Sequence, residues 1–175
     1  MSHAVEIKHY KQLPDGQIAV AACCCGDPVH TSWHTMASAI FDVPGRFEQS
    51  VNWHIQRVAN QHEEMLQAKV VLSGLVGQTH VFDKHSAKFE HYRQLSDGQL
   101  AIGAQCCDDE ATLSTHIIDS NVAADHNACQ TAIKEHCQQT ANKHENTRRC
   151  LAALPALVGR QYKIATTANA AAATA

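Results

Sequence analysis

The sequence predicts an α+β fold, built as a tandem duplication of one unit, a β-hairpin followed by two helices. Three observations lead there. First, His9-Tyr10-Lys11-Gln12-Leu13-Pro14-Asp15-Gly16 returns as His91-Tyr92-Arg93-Gln94-Leu95-Ser96-Asp97-Gly98, 82 positions on, and the same offset aligns Asn60-Gln61-His62-Glu63 with Asn142-Lys143-His144-Glu145 without a gap. Second, each copy opens with alternating apolar residues and a turn sequence. Third, each copy carries a long stretch of helical periodicity. The expected organisation is a first repeat over 1–82, a second over 83–164 and an Ala/Thr-rich tail over 165–175. A unit of this size is a small domain, so the expected body is a pseudo-dimer about a pseudo-two-fold axis, with one antiparallel sheet packed on four helices.

Val5, Ile7 and Leu13 fall on one face of the first strand, and Pro14-Asp15-Gly16 then supplies a preset φ, a side chain that caps its own turn and a residue free to take positive φ. The returning strand runs from Gln17 to about Cys24, with Ile18, Val20, Ala22 and Cys24 on one side and small residues on the other, so both faces can be covered. Asp27 and Asp109 stand at helix N-cap positions, Asp27 with Pro28 behind it, and predict a shorter helix running toward Ile40 and toward Val122. The long helices are expected over Phe47–Leu72 and Cys129–Leu154, the first with a stripe through Phe47, Val51, Ile55, Val58 and Met65. Gln161–Ile164 repeats the strand-like Thr79–Phe82.

Composition narrows the function classes. Charged residues make up 18% with a net charge of −3, and no Lys/Arg run supplies a basic field, so no nucleic-acid partner is expected. The first residues lack a basic start and apolar stretch, and the longest apolar runs are too short for a bilayer, so the reading is a soluble protein made in the cytosol, with no membrane partner. Eight cysteines and thirteen histidines are the anomaly. The cysteines divide three to five between the halves, which favours reduced thiols over a disulfide framework.

His54 and His62, with their counterparts His136 and His144, fall in the apolar stripes of the long helices. Eight residues separate the two histidines of one helix, about 12 Å, too far to share an ion. If the helices pack antiparallel about Val58 and Thr140, His54 meets His144 and His62 meets His136. Such pairs are either buried imidazoles satisfied by the backbone or by Glu63 and Glu145, or metal ligands completed by thiolates from Cys24, Cys106, Cys129 or Cys137. Cys24-Cys25 and Cys106-Cys107 end the inner strands, with His34 and His116 beyond them. Strand alternation lets only one thiol of each pair look into a given site. The candidate metal set is therefore His54, His62, His136, His144, Cys24, Cys106, His34 and His116, for zinc or copper. His3 and His85, near the strand starts, read as structural or surface groups. No Cys-x-x-Cys-His motif supports haem, and no glycine-rich phosphate loop is present.

Three functions follow. The leading one is a non-catalytic structural or assembly protein, a self-associating subunit of a larger homo-oligomer, particle or filament, suggested by low charge, small-residue strand faces and no active-site motif. The alternative is a transition-metal-binding protein. The weaker one is a thiol-dependent enzyme, for which Cys25, His34 and Glu63 have suitable residue types but no spacing that places them together.

Overall fold

The computed structural model describes residues 2–95 and 98–161. The tail and the strand-like 161–164 segment, apart from Gln161, lie outside the described residues, as does the Ser96-Asp97 part of the second turn. The described chain is α+β, with two antiparallel sheets and three helices.

The first sheet is a meander of β1 (Val5–Gln12), β2 (Gln17–Cys24) and β3 (Thr31–Ala37) in the order β1-β2-β3. The expected turn joins β1 to β2: Gly16 takes φ 79°, and the Asp15 carboxylate accepts from the Gln17 N–H at 3.1 Å. β3 corrects the expected shorter helix. Asp27 does cap, accepting from the Val29 N–H, but only a 3-10 turn over Pro28–His30 follows. The β-branched and aromatic alternation of Thr31-Ser32-Trp33-His34-Thr35 then pairs with β2, Trp33 opposite Ala21, and satisfies the second edge of that strand. With neighbours on both sides, β2 is buried from Ala19 to Cys24.

α1 (Arg46–Leu75) follows the left-handed Gly45 and leads into β4 (Thr79–Phe82), β5 (His85–Gln94), β6 (Gln99–Cys106) and β7 (Asp109–Asp119), a second sheet in the order β4-β5-β6-β7. Here too the predicted helix after Asp109 is mostly strand, and only α2 (Ser120–Ala124) precedes α3 (His126–Ala153). Registers correspond between the sheets: Tyr10 faces Val20 as Tyr92 faces Ile102, and the bulge between Ile7 and His9 recurs between Phe89 and His91. The single sheet and four helices expected from sequence are thus two sheets and three helices.

The cores are unequal. Around the second sheet, Phe89, Leu100, Ile102 and Ile118 pack with Ile133 and Cys137 of α3 and with Met65, Ala68, Leu72 and Leu75 from the C-terminal half of α1. Around the first sheet the buried cluster is only Ala22, Cys24 and Val58, with Val5 against it. α1 therefore belongs to both sheets, its N-terminal half lying on the first and its C-terminal half helping to core the second. Among the described residues, no helix is long and apolar enough to cross a membrane.

Candidate metal centres

The turn after β2 decides the first site. Cys24 is the last residue of the strand, and Cys25 and Gly26 both take positive φ, 54° and 74°, which folds the chain back at once. A non-glycine residue in this region costs on the order of 1–2 kcal/mol, so the conformation is held by its surroundings. The Cys25 N–H donates to the Ala4 carbonyl and ties the turn to the chain just before β1. The consequence corrects the strand-alternation argument: Cys25 has left the strand, and both thiols turn to one side, with Sγ atoms 3.6 Å apart. After β6, Cys107 and Asp108 take φ 56° and 55°, the Cys107 N–H donates to Ser86, and the Cys106 and Cys107 sulfurs lie 3.5 Å apart.

Two imidazoles complete each group. His62 of α1 brings Nδ1 to 3.0 Å from Cys24 Sγ, and His3 places Nδ1 3.6 Å from Cys25 Sγ. The counterparts are His144 of α3 and His85 at the start of β5, whose Nδ1 lies 3.5 Å from Cys107 and 3.7 Å from Cys106. The groups are His3, Cys24, Cys25 and His62 in one place and His85, Cys106, Cys107 and His144 in the other, with all four ligand atoms of each within 4.8 Å of one another. In a tetrahedral zinc site with the usual bond lengths, two thiolates lie about 3.8 Å apart and a thiolate and an imidazole nitrogen about 3.5 Å apart. The sulfur–sulfur separations and the contacts of His3 and His85 lie near those values, while His62 stands closer to Cys24, at 3.0 Å. His144 Nδ1 is buried without a hydrogen-bond partner and so is open to a ligand bond, a condition that His54 Nδ1, outside both groups, shares.

Outside each group stands a carboxylate. His3 Nε2–H donates to Glu63 at 2.8 Å, and His85 Nε2–H donates to Glu145 at 2.9 Å. This proton assignment leaves Nδ1 with its lone pair aimed at the sulfurs, the arrangement that fixes the tautomer of a metal-ligating histidine. Asp109 stands 3.9 Å from His144 Nε2, and Arg149 holds Glu145 from its far side at 2.9 Å.

The electrostatics divide each cysteine pair. Burial pushes Cys24 and Cys106 up to about 12, and the neighbouring thiol adds to the shift. The outer thiols move down: the backbone at Ala4 and then the His3 imidazole lower Cys25, and the backbone at Ser86, followed by His85, lowers Cys107. His3 is raised by Cys25 and Glu63, and His85 by Glu145 and Cys107. Burial lowers His62, disfavouring its charged form, and it is the neutral imidazole that ligates a metal. Each group thus pairs a thiol shifted toward ionisation with one that burial holds toward its protonated form, and a bound cation would favour the thiolate of both.

Of the eight residues nominated from sequence, His62 and Cys24 meet in the first group and His144 and Cys106 in the second. The other four form separate pairs. His54 stacks on His34 at 5.3 Å and donates from Nε2 to the Ser32 carbonyl; His136 stacks on His116 at 5.5 Å and donates to the Ser114 carbonyl. The pairing of His54 with His144 and His62 with His136 gives way to partners within the same half, because each histidine meets the sheet that its own stretch of helix covers. Sequence reasoning missed His3, Cys25, His85 and Cys107. All four recur at the 82-residue offset, but strand alternation, which Cys25 and Cys107 leave by their positive φ, points those two thiols away from the site. All eight cysteines are free thiols. No known protein family, curated protein or solved structure matches this chain.

Proposed function

We propose that the protein binds transition metal as its function, holding one zinc-class ion at His3, Cys24, Cys25 and His62 and a second at His85, Cys106, Cys107 and His144. The observation that carries the reading is that two groups of two thiols and two imidazoles, each at tetrahedral ligand spacing, stand at corresponding positions and are each backed by a glutamate on one histidine. We attribute the correspondence to tandem duplication of a metal-binding unit.

Four protein ligands leave no open position for a substrate, so each ion acts structurally, the first clamping the chain before β1 and the end of β2 to α1, the second the start of β5 and the end of β6 to α3. Two thiolates with two imidazoles suit zinc and also copper(I), whereas hard oxygen-seeking cations are disfavoured. The Glu63 and Glu145 carboxylates add negative charge beside the ion and orient the imidazoles.

The test is elemental analysis and metal titration of protein purified without a histidine tag. Expected are two tightly held equivalents of zinc or copper, one lost in Cys24→Ser and the other in Cys106→Ser, with thiolate-to-metal charge transfer on cobalt substitution. Protein that neither carries nor takes up metal at that stoichiometry overturns the proposal. The structural or assembly role rests on a different part of the molecule.

A further inference from the structure

The second sheet is covered by two helix segments, and the first by one. On the second sheet, Phe89, Tyr92, Leu100, Ala123, Cys129 and Ile133 are roofed by the C-terminal half of α1, where Leu72 is 0% and Leu75 3% exposed. The residues 82 positions earlier are Ile7, Tyr10, Ile18, Phe41, Phe47 and Val51. They line an apolar groove on the first sheet. Nothing among the described residues roofs it: Ile7 is 43%, Phe41 58% and Tyr10 81% exposed. Tyr92, by contrast, shares a hydrogen bond with the Ser73 hydroxyl of α1 at 2.8 Å.

The segment that matches the roof by the 82-residue offset is the C-terminal end of α3 and the turn after it. The counterparts of Ala68, Leu72 and Leu75 are Cys150 near the end of α3, Leu154 in the 3-10 turn over Leu154–Ala156 that follows it, and Leu157 just beyond that turn. They are solvent-facing, Leu154 at 52%, with Leu151 and Val158 beside them also exposed. The sheet edges agree. β5 is bordered by β4, which follows α1 through Gly77, whereas β1 is an edge strand among the described residues. The end of α3 likewise passes through a left-handed glycine, Gly159.

We propose that the groove on the first sheet receives the C-terminal end of α3 from a second copy of this chain, Leu154 and Leu157 seating there as Leu72 and Leu75 seat on the second sheet. The occupant is argued from the intramolecular interface, which already joins this kind of helix end to this kind of sheet. Because groove and helix end lie on different surfaces of one chain, the contact is heterologous, so copies add head to tail into a ring or a filament. Burial of large aliphatic side chains on both partners drives it, and the low net charge of −3 opposes it little. Pro155 stands where α1 has Ser73, so Tyr10 does not gain the hydroxyl bond that Tyr92 has.

The experiment uses the full chain and two variants, Leu154→Glu with Leu157→Glu on the helix end, and Phe41→Glu in the groove. All three positions are exposed, so the chain itself loses no core. Light scattering and sedimentation of the unmodified protein should give masses above 19.1 kDa that rise with concentration, and each variant alone should stay a 19.1 kDa monomer, since neither has both halves of the contact. An equimolar mixture of the two variants should form a one-to-one heterodimer, because one intact groove meets one intact helix end. Circular dichroism and metal content serve as controls and should match the unmodified protein, which keeps this outcome separate from that of the metal titration. A 19.1 kDa species at all concentrations, or a mixture that forms no heterodimer, overturns the proposal. An unmodified protein that stays monomeric with its groove protected from solvent points instead to cover from its own chain, and overturns it equally.

Discussion

Glu63 and Glu145 touch no sulfur, yet removing either should weaken one metal site by a stated amount. In Glu63→Ala, His3 loses the acceptor 2.8 Å from Nε2, and in Glu145→Ala, His85 loses its acceptor at 2.9 Å. Losing such a partner costs about 10- to 100-fold in metal affinity, because the ring is no longer held with Nδ1 on the metal. The two sites should fall at different points in that range. His3 precedes β1, in a chain segment tied to the rest by the Ala4 carbonyl, so its ring depends heavily on Glu63. His85 is the first residue of β5, buried, and framed by β4 through its pairing with Phe82, so its backbone is fixed whether or not Glu145 is present. Glu63→Ala should therefore approach the upper end and Glu145→Ala the lower. The glutamine variants keep an acceptor oxygen and should recover part of the loss. Competition titration against a chromophoric chelator reads both sites: the unmodified protein gives two tight equivalents, and each alanine variant splits the curve into one tight and one weakened step. Both carboxylates are on the surface, so the metal-free melting temperature should hardly move. Unchanged titration curves, or weakening of both equivalents by one substitution, would refute the idea that these carboxylates orient the His3 and His85 rings.

Other outcomes follow from the same geometry. Leu72→Ala removes a fully buried side chain and should cost about 2–5 kcal/mol, roughly 5–15 °C in thermal melting, whereas Leu154→Ala in dilute solution should cost under about 0.5 kcal/mol; equal effects would contradict the burial pattern. Burial lowers His54 and His136 below the usual 6.5, so the folded state takes up fewer protons than the unfolded one. Their contribution to stability is complete above about pH 6.5 and is lost as pH falls toward the folded values. Melts of metal-free protein across that interval should show the decline, with a shallower slope in His54→Gln, and a slope that this variant leaves unchanged would count against the assignment. In metal-free protein, iodoacetamide should label exposed Cys25, Cys107 and Cys150 ahead of Cys129 and Cys137, which burial pushes up to about 11. Zinc should then protect Cys25 and Cys107 but leave Cys150 reactive, and mass spectrometry of the labelled peptides distinguishes the cases.

The elements that carried strong periodic signals were legible. Both long helices, both first hairpins and the Pro14-Asp15-Gly16 turn stand close to where the pattern puts them, because local propensity and burial agree there. β3 and β7 were not, because an N-cap aspartate followed by proline is a local helix signal, while β2 and β6 need hydrogen-bond partners on their second edges. For the metal groups, the interior histidines pointed to His62 and His144, and the cysteine pairs to Cys24 and Cys106. Of the other four members of the groups, Cys25 and Cys107 depend on a left-handed conformation that no hydrophobic pattern announces. The same αL turn that hides these thiols from a strand-based reading is what brings them to the site.

The position of each group along its helix gives the metal a consequence beyond its own ligands. His62 lies three residues before Met65, so the first ion would sit at the junction where α1 leaves the first sheet and begins to core the second. His144 lies three residues before Thr147, at the junction where α3 leaves the second sheet and runs on to its exposed end. An ion at the first site thus anchors a helix whose far half supplies Leu72 and Leu75 to the larger core, and an ion at the second anchors the segment proposed to enter a neighbouring copy. Binding that holds only the folded arrangement stabilises it by mass action. Two effects of chelation can then be told apart. Loss of the first ion should loosen the core of the second sheet through α1, whereas loss of the second should leave that core closed and weaken association between copies. Cys24→Ser and Cys106→Ser separate them, because each removes a ligand from one site and leaves the other complete.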